Sequence, residues 1–549
     1  MASMKLPLLT DRADRFSTGT AQRKGRVLLL TPNLKGLRDP QSVHRIQPSL
    51  GLMIHASVLL RDGHEVKIHD TALADFYHRP AIDDRSVTIG QSEEEIRKEI
   101  ARYQPDIVGI SALFSNLVDS AHLIARLVKE VNPRCPVILG GNHIGNAVND
   151  YLYAKRDPQS GLPAQLKDYE DPNIDFIMHG EVDLEFPQLV NALLDGREIS
   201  ALPGLVQRKA GNGSAQGSRA RGGSAYGSPA PGSPLEYIVN PPPAAREPLS
   251  ALPHPARHLV DMEGYFNIGA FHSANSKSKR VVNVMASRGC PEKCTFCTTP
   301  DTWGSKVRWR EIDDVIAEIR EAKEHYKVGE IQFEDDTITA NRLRLLALCA
   351  ELEKVGLPWC TPNGTKVNYH KKQQREMYTA MYNSGCYQIT LACESGVQRV
   401  LDEIIRKNLK VEEMKPAIEH AKEAGMLVHT FWVIGHPGET YEEIQQTIEF
   451  ARSCGADSYS VSILSPLPGT PIYRQVVREN LWWGERGLND LLYRNSLIKV
   501  DGFAGPEEFE RFVTAANVEL NLLLKRRDPQ RFQQKYGADS SERMLVKQT

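Results

Sequence analysis

Short apolar runs alternate with amphipathic stretches along most of the chain. Residues 26–32 form an apolar run that predicts a buried strand. Leu52, Met53, Ala56, Leu59 and Leu60 then share one helical face, and Asp62-Gly63 ends that helix. Further strands are predicted at 64–69, 106–111, 136–140 and 175–179, with helices at 93–103, 117–130 and 185–194. This alternation predicts a parallel, doubly wound sheet, which binds ligands at the carboxyl ends of its strands. The loops at those ends are 31–35, 111–116, 140–145 and 180–183. Gly140-Gly141 would let a flat ligand approach the backbone closely, or would serve a tight turn.

Residues 210–234 are rich in Gly, Ser, Ala and Pro and read as a flexible linker; prolines continue it as an extended connector. A second series follows. Strands are predicted at 281–285, 330–333, 359–366, 387–392, 427–434 and 458–464, with helices at 311–326, 341–355, 371–384, 412–424 and 441–453. Six β/α units are too few for a closed eight-stranded barrel, for which roughly 250 residues is typical, so a partial (β/α)6 barrel is expected. The expected order is a mobile tail at 1–24, a ligand-binding domain at 25–209, a linker at 210–275, the barrel at 276–479 and a charged, mostly helical region at 480–549.

Composition narrows the function classes. The 549 residues carry 67 Lys+Arg against 69 Asp+Glu, for a net charge of −2, and no basic block suggests nucleic acid or an anionic membrane. No apolar run reaches membrane-spanning length and no signal peptide opens the chain, so a cytoplasmic location is expected. A reducing compartment suits nine cysteines, of which Cys135, Cys349, Cys360, Cys386, Cys393 and Cys454 are scattered singly.

The other three are clustered. Cys290, Cys294 and Cys297 follow the first barrel strand with C-x3-C-x2-C spacing. One short loop can aim three thiolates at three irons of a [4Fe–4S] cube and leave the fourth iron open. An electron-transfer ferredoxin closes all four positions. A structural zinc site would want a second ligand pair, which the sequence does not offer nearby.

This motif resembles that of the radical S-adenosylmethionine (SAM) enzymes. The resemblance implies that the open iron chelates SAM and that one electron cleaves it to a 5′-deoxyadenosyl radical. Phe296 matches the aromatic residue common before the last cysteine. The resemblance also implies SAM contacts from Asp335 or Asp336 after the second barrel strand, from Glu394 and Ser395 after the fourth, and from Gly435 and Pro437 after the fifth. The acidic segment lacks the glycines of the family pattern, and helix capping is its plainer reading. Asn363-Gly364-Thr365 is a further candidate contact.

A doubly wound domain ahead of such a core resembles the cobalamin-dependent subfamily. Ser111, Ser115, Gly140, Gly141, Gly180 and Glu181 are the implied cobalamin contacts. The Asp-x-His-x-x-Gly motif that gives cobalt a histidine is absent: Asp62-Gly63-His64 begins like it, but Lys67 stands at the glycine position. A nucleotide-binding or purely structural sheet is the alternative, although no G-x-G-x-x-G run supports it. Residues 109–116, 294–299, 303–304 and 394–401 are similar to the methylases of phosphonate and phosphinate antibiotic biosynthesis. The resemblance implies transfer of a methyl group from methylcobalamin to an unactivated phosphorus or carbon. Phosphorus of an N-acetyl-demethylphosphinothricin-type phosphinate is preferred over carbon of a fosfomycin-type phosphonate. Its partners would be that small anion and a one-electron reductant such as flavodoxin or ferredoxin. Arg288, Lys306, Arg308, Arg310 and Lys366 are candidate cations for the anion. A cobalamin-dependent cyclase and a non-enzymatic iron–sulfur or cobalamin sensor stay open as rivals; a methylthiotransferase would need a second cysteine trio.

Overall fold

Strand β1 (Arg26–Thr31) carries Val27 to Leu30 with every side chain fully buried. Alternate residues point to opposite faces of a strand. Leu28 and Leu30 therefore join one core, with Ile96, Ile100 and Ile124, while Val27 and Leu29 join another, with Met53, Leu59 and Leu189. That double burial explains the continuous apolar run. The computed structural model describes residues 22–38, 44–209, 235–243, 246–269, 271–273, 275–492 and 494–530. Most of the expected tail, the 210–234 stretch and the end of the chain beyond 530 lie outside the described residues.

The first sheet adds β2 (Glu65–Asp70), β3 (Ile107–Ser111), β4 (Val137–Gly140), β5 (Phe176–Met178), β6 (Leu205–Arg208) and β7 (Tyr237–Val239). Its order is β2-β1-β3-β4-β5-β6-β7, parallel through β5 and antiparallel for β6 and β7. The order 2-1-3-4-5 is flavodoxin-like, with its switch point between β1 and β3. The helices are α1 (Leu50–Arg61), α2 (Glu93–Tyr103), α3 (Val118–Val131), α4 (Asn142–Arg156) and α5 (Glu185–Asp195). Helix α4, strands β6 and β7, and a two-stranded antiparallel ladder of Leu34–Leu37 with Ser86–Ile89 go beyond the sequence expectation.

The second sheet contains β8 (Val281–Val284), β9 (Glu330–Phe333), β10 (Trp359–Thr365), β11 (Cys386–Glu394), β12 (Leu427–Ile434) and β13 (Ser458–Ile463). All pair in parallel and in chain order, as an open six-stranded β/α sheet with helices α6 (Ile312–Tyr326), α7 (Arg342–Val355), α8 (Gln374–Asn383), α9 (Met414–Glu423) and α10 (Tyr441–Ser453). Among the described residues the 480–505 stretch is irregular apart from a short turn of helix, and α11 (Pro506–Arg527) supplies the helix expected there. It covers the free edge of β13. Asn521 accepts from the Tyr459 amide at 3.0 Å and donates to its carbonyl at 2.9 Å; Asn517 does the same to Val461 at 2.8 Å each. Two amide side chains one turn apart thus stand in for a neighbouring strand.

The 246–269 part of the expected linker is not a loose connector. Arg257 is buried and donates to Asn283 O at 2.7 Å and to Glu318 at 2.6 Å. A short helix, Met262–Ile268, buries Met262, Tyr265 and Phe266 in the barrel core, and the Tyr265 hydroxyl donates to Asp70 of β2 at 2.6 Å. Three apolar residues at helical spacing outweigh the prolines before them.

Candidate active site

The cysteine loop leaves β8 and returns through a two-residue ladder in which Ser287 and Arg288 pair with Trp309 and Arg308. Gly289 has φ +101°, and a Cβ there would stand 2.5 Å from Lys306 O, so only glycine fits. The Thr295 amide donates to Ile405 O at 3.0 Å and its hydroxyl to Ile404 O at 2.7 Å, pinning the loop to the turn after β11. Phe296 packs on His436, ring centroids 5.9 Å apart. All nine cysteines are free thiols. Burial pushes the Cys290 thiol up to about 11 and Cys294 up to about 12, and raises Cys297 as well. Neighbouring thiols raise Cys290 and Cys294 further, while Lys407 opposes the shift at Cys294 and Cys297. Lys407 is buried and pairs with Glu394 at 2.8 Å.

The other strand ends separate into different roles. Asp335 accepts from the Ala286 amide at 2.9 Å and from the Ser287 hydroxyl, tying β9 to the cysteine loop. Burial pushes its carboxyl up to about 7. Asp336 accepts from the Thr299 hydroxyl at 3.0 Å and keeps its other oxygen buried without a partner among the described residues. Glu334 pairs with His272 at 2.8 Å and likewise keeps one buried oxygen free. Ser395 is fully buried, bonds the Thr447 hydroxyl at 3.0 Å and accepts from the Val397 amide at 3.1 Å. Its hydroxyl therefore caps a turn. Gly435 has φ +84°, and Glu439 accepts from the Gly435 amide at 2.7 Å and the His436 amide at 3.0 Å, which closes the turn around buried Pro437.

A cavity of about 710 Å³ lies between the carboxyl ends of the two sheets. Ser111, Gly140, Gly141, Gly180 and Glu181 line it from the first sheet; Met285, Arg288, Trp303, Glu334, Asp336 and Asn363 line it from the second. Gly141, at φ +108°, has no room for a Cβ, which would stand 2.4 Å from Ala112 O. Leu113 and Phe114 also line the cavity and are about half exposed, at 47% and 57%. The three cysteines, Glu394, Ser395, Gly435 and Pro437 are not among the lining residues.

Two expectations for the first sheet change. Ser115 does not line the cavity: its hydroxyl is engaged by His143 Nδ1 at 2.8 Å, and His143 faces Asp168 at 3.5 Å. Glu181 does line it, but its carboxylate is consumed by arginines. Arg246 and Arg288 reach it at 2.6 Å each, and Arg308 contacts it too. Asp183 takes Arg288 at 2.5 Å, and the Arg288 guanidinium lies 4.6 Å from the Trp303 ring centre. Two more of the candidate anion-binding cations are similarly occupied, while Lys306 is exposed and is not among the lining residues. Arg310 pairs with Asp314 and Glu318, and Lys366 with Glu292. Arg246 escapes sequence reading, and although Asp183 and Trp303 lie in segments the sequence singles out, no local spacing links the three.

Residues 284–451 match the Radical SAM superfamily and residues 41–157 match the B12 binding domain. A cytidylyl-2-hydroxyethylphosphonate methyltransferase of Streptomyces wedmorensis is 32% identical over 519 residues, 93% of this chain and 92% of the relative. The chain belongs to the cobalamin-dependent radical SAM methyltransferases. An anaerobic magnesium-protoporphyrin IX monomethyl ester cyclase of Rubrivivax gelatinosus is 27% identical, over 71% of this chain and 62% of the relative. The radical SAM methyltransferase TsrM of Kitasatospora setae, solved with tryptophan and a SAM analogue, superposes with TM-score 0.57 at 16% identity over 88% of this chain and 82% of that one. The cobalamin-dependent enzyme OxsB gives TM-score 0.56 at 13% identity over 83% and 55%. At these identities the likeness shows the fold.

The methyltransferase fits the cofactors of its family, a [4Fe–4S] cluster, SAM and cobalamin. Three free thiols on one loop are the right donors for iron, and binding would displace their protons. Among the described residues no group of three His, Cys, Asp or Glu converges on a single metal ion. A cube asks for something else, one thiolate on each of three irons. His55 Nδ1, Asn283 Oδ1, Glu334 Oε1 and Asp336 Oδ2 are buried without partners among the described residues, and their side chains belong to cavity-lining residues. Buried polar atoms are rarely left so. The two carboxylate oxygens suit a ligand with an ammonium group, and the glycine-walled crevice at the switch point suits a broad one. Among the described residues no helix is long and apolar enough to cross a membrane.

Proposed function

We propose that this methyltransferase acts on a small phosphorus oxyanion and that its acceptor is the phosphorus of an N-acetyl-demethylphosphinothricin-type phosphinate, a step of antibiotic biosynthesis. The observation that carries the substrate class is the end-to-end similarity to a phosphonate methyltransferase. Carbon methylation of a phosphonate is the second reading, and that same relative favours it.

In this reading Cys290, Cys294 and Cys297 hold the cluster, and Phe296 braces their loop on His436. Asp336 and Glu334 accept from the methionine ammonium of SAM. Gly435 and Pro437 offer backbone to its adenine, and Glu394, oriented by Lys407, reaches its ribose. Ser111, Gly140, Gly141 and Gly180 cradle cobalamin with Leu113 and Phe114 against its apolar surface. When bound, these cofactors supply a one-electron cleavage of SAM and a transferable methyl group. The cavity walls exclude water from the reacting centre. Electrons come from an external donor such as flavodoxin or ferredoxin.

The test is anaerobic reconstitution with iron, sulfide and hydroxocobalamin, followed by SAM, reductant and each candidate substrate. The expected result is a gain of one methyl on N-acetyl-demethylphosphinothricin, with 5′-deoxyadenosine and S-adenosylhomocysteine as co-products. A methylated cytidylyl-2-hydroxyethylphosphonate instead would establish the second reading. SAM cleavage without methylation of either compound would sink the substrate class.

A further inference from the structure

Among the described residues, three guanidinium groups and no lysine line the interdomain cavity: Arg45, Arg288 and Arg310. Arg288 is neutralised by Glu181 and Asp183, and Arg310 by Asp314 and Glu318. A guanidinium holding two buried carboxylates has little left to offer an incoming anion. Arg45 differs. It has no carboxylate partner among the described residues; its Nη1 donates to the main-chain oxygen of His272 at 2.6 Å. That bond anchors a residue of the first domain to the entrance of the barrel, and the exposed side chain keeps its other N–H groups available. His272 pairs with Glu334, whose second oxygen is the unpartnered atom described above. Arg45 therefore sits at the cavity mouth, tethered to the segment that reaches the SAM-side acids.

The remaining cavity wall is acidic or neutral. Asp70, Asp301, Glu334 and Asp336 line it together with the paired carboxylates. Such a wall favours a sulfonium and an ammonium, and it repels a phosphinate or phosphonate. An anionic substrate needs one local exception. Arginine's planar fork matches two oxygens of such a group, and charge-assisted bonds of this kind are about twice as strong as neutral ones.

Building on the phosphorus-oxyanion reading above, we propose that Arg45 grips the phosphinate or phosphonate oxygens of the substrate and sets the enzyme's preference for an anionic acceptor. Arg45→Gln removes the charge and shortens the side chain, and Arg45→Lys keeps the charge but loses the fork. Both variants are reconstituted beside wild type, with cobalamin uptake as the check on folding. Each is titrated calorimetrically with N-acetyl-demethylphosphinothricin and with cytidylyl-2-hydroxyethylphosphonate, and KM and kcat are separated. The expected result is substrate affinity weakened roughly tenfold to a hundredfold in Arg45→Gln, as loss of a hydrogen bond to a charged group implies, and partly recovered in Arg45→Lys. KM should rise more than kcat falls. Unchanged affinity in Arg45→Gln, with wild type binding normally, overturns the assignment and leaves the proposed function standing. A selective loss of SAM affinity also overturns it, by giving Arg45 to the cofactor's carboxylate. Failure of wild type to bind either compound overturns both the substrate reading and this one.

Discussion

At the residue scale the protein places similar groups in opposed environments. Asp335 and Asp336 are adjacent, yet Asp335 spends both oxygens on the cysteine loop while Asp336 turns one towards the cavity. Burial is the largest influence on Asp335 and raises its carboxyl from 3.8 to about 7. A raised acid binds its proton more tightly in the folded state, so its stabilising contribution is full below about pH 4 and is lost as pH rises through about 7. Asp335→Asn mimics the protonated form and escapes that loss. Denaturant melts should show Asn gaining on wild type by up to about 4 kcal/mol between pH 4 and pH 8. A constant difference across that range would mean the carboxyl ionises normally. The thiols lead to a second prediction. Cys294→Ala should cost the cluster's iron and its visible absorbance, measured by iron assay after anaerobic reconstitution, because a loop with two thiolates anchors only two irons. The cysteine trio is legible from sequence since its chemistry lies within eight residues. The Glu181 constellation is not, because its three contacts span 65, 107 and 127 positions.

At the element scale, legibility follows the source of each segment's burial. Strand β1 announces itself because it is apolar on both faces, whereas a barrel strand such as β13 shows alternation, with Tyr459, Val461 and Ile463 between serines. Helix α4 hides: it opens on Gly140-Gly141-Asn142 without a capping side chain, and its buried face includes His143, Asn146 and Asp150. Of these, His143 and Asp150 are satisfied by other elements. Asp150 accepts from the Gly469 amide at 2.6 Å and from Arg474 at 2.8 Å. Strands β6 and β7 are short, and each needs the other to complete an antiparallel edge, so neither is marked by local pattern alone. Helix α11 shows how an open barrel manages its last edge. Asn517→Ala and Asn521→Ala each leave a strand amide and carbonyl unpaired. Each should destabilise by roughly 1–3 kcal/mol, read from thermal or urea unfolding. Asn517→Asp retains the acceptor but sets a buried carboxylate against the Val461 and Val513 carbonyls, and should be at least as destabilising as alanine. Equal stability of all three would mean water replaces the amide at no cost.

At the scale of the whole molecule, the carboxyl edges of the two sheets are held face to face by a buried charged cluster together with apolar packing of Ile46, Phe76 and Ile89 against the barrel core. Glu181 and Asp183 come from the loop after β5; Arg288 stands two residues before Cys290; Arg246 comes from the connector and Arg308 from the return of the cysteine loop. The loop expected to touch cobalamin is therefore the same loop that fixes the cluster's neighbourhood. Apolar contacts alone would let two such edges slide, whereas a bidentate, buried guanidinium pair tolerates little displacement. A buried ion pair is costly to break from one side, because the partner stays charged and dry. Glu181→Ala leaves three guanidiniums around one remaining carboxylate and should cost roughly 3–5 kcal/mol. Arg288→Ala should cost a similar amount by stranding Glu181 and Asp183. The double variant removes both members of one pair, so its loss should be well short of the sum of the singles. Limited trypsin digestion adds a second readout: Glu181→Ala should open cleavage at Arg288 or Arg308, which wild type buries or half-buries. Additive energies with an unchanged digestion pattern would show that the two sheets are held by packing and that the charged cluster is incidental.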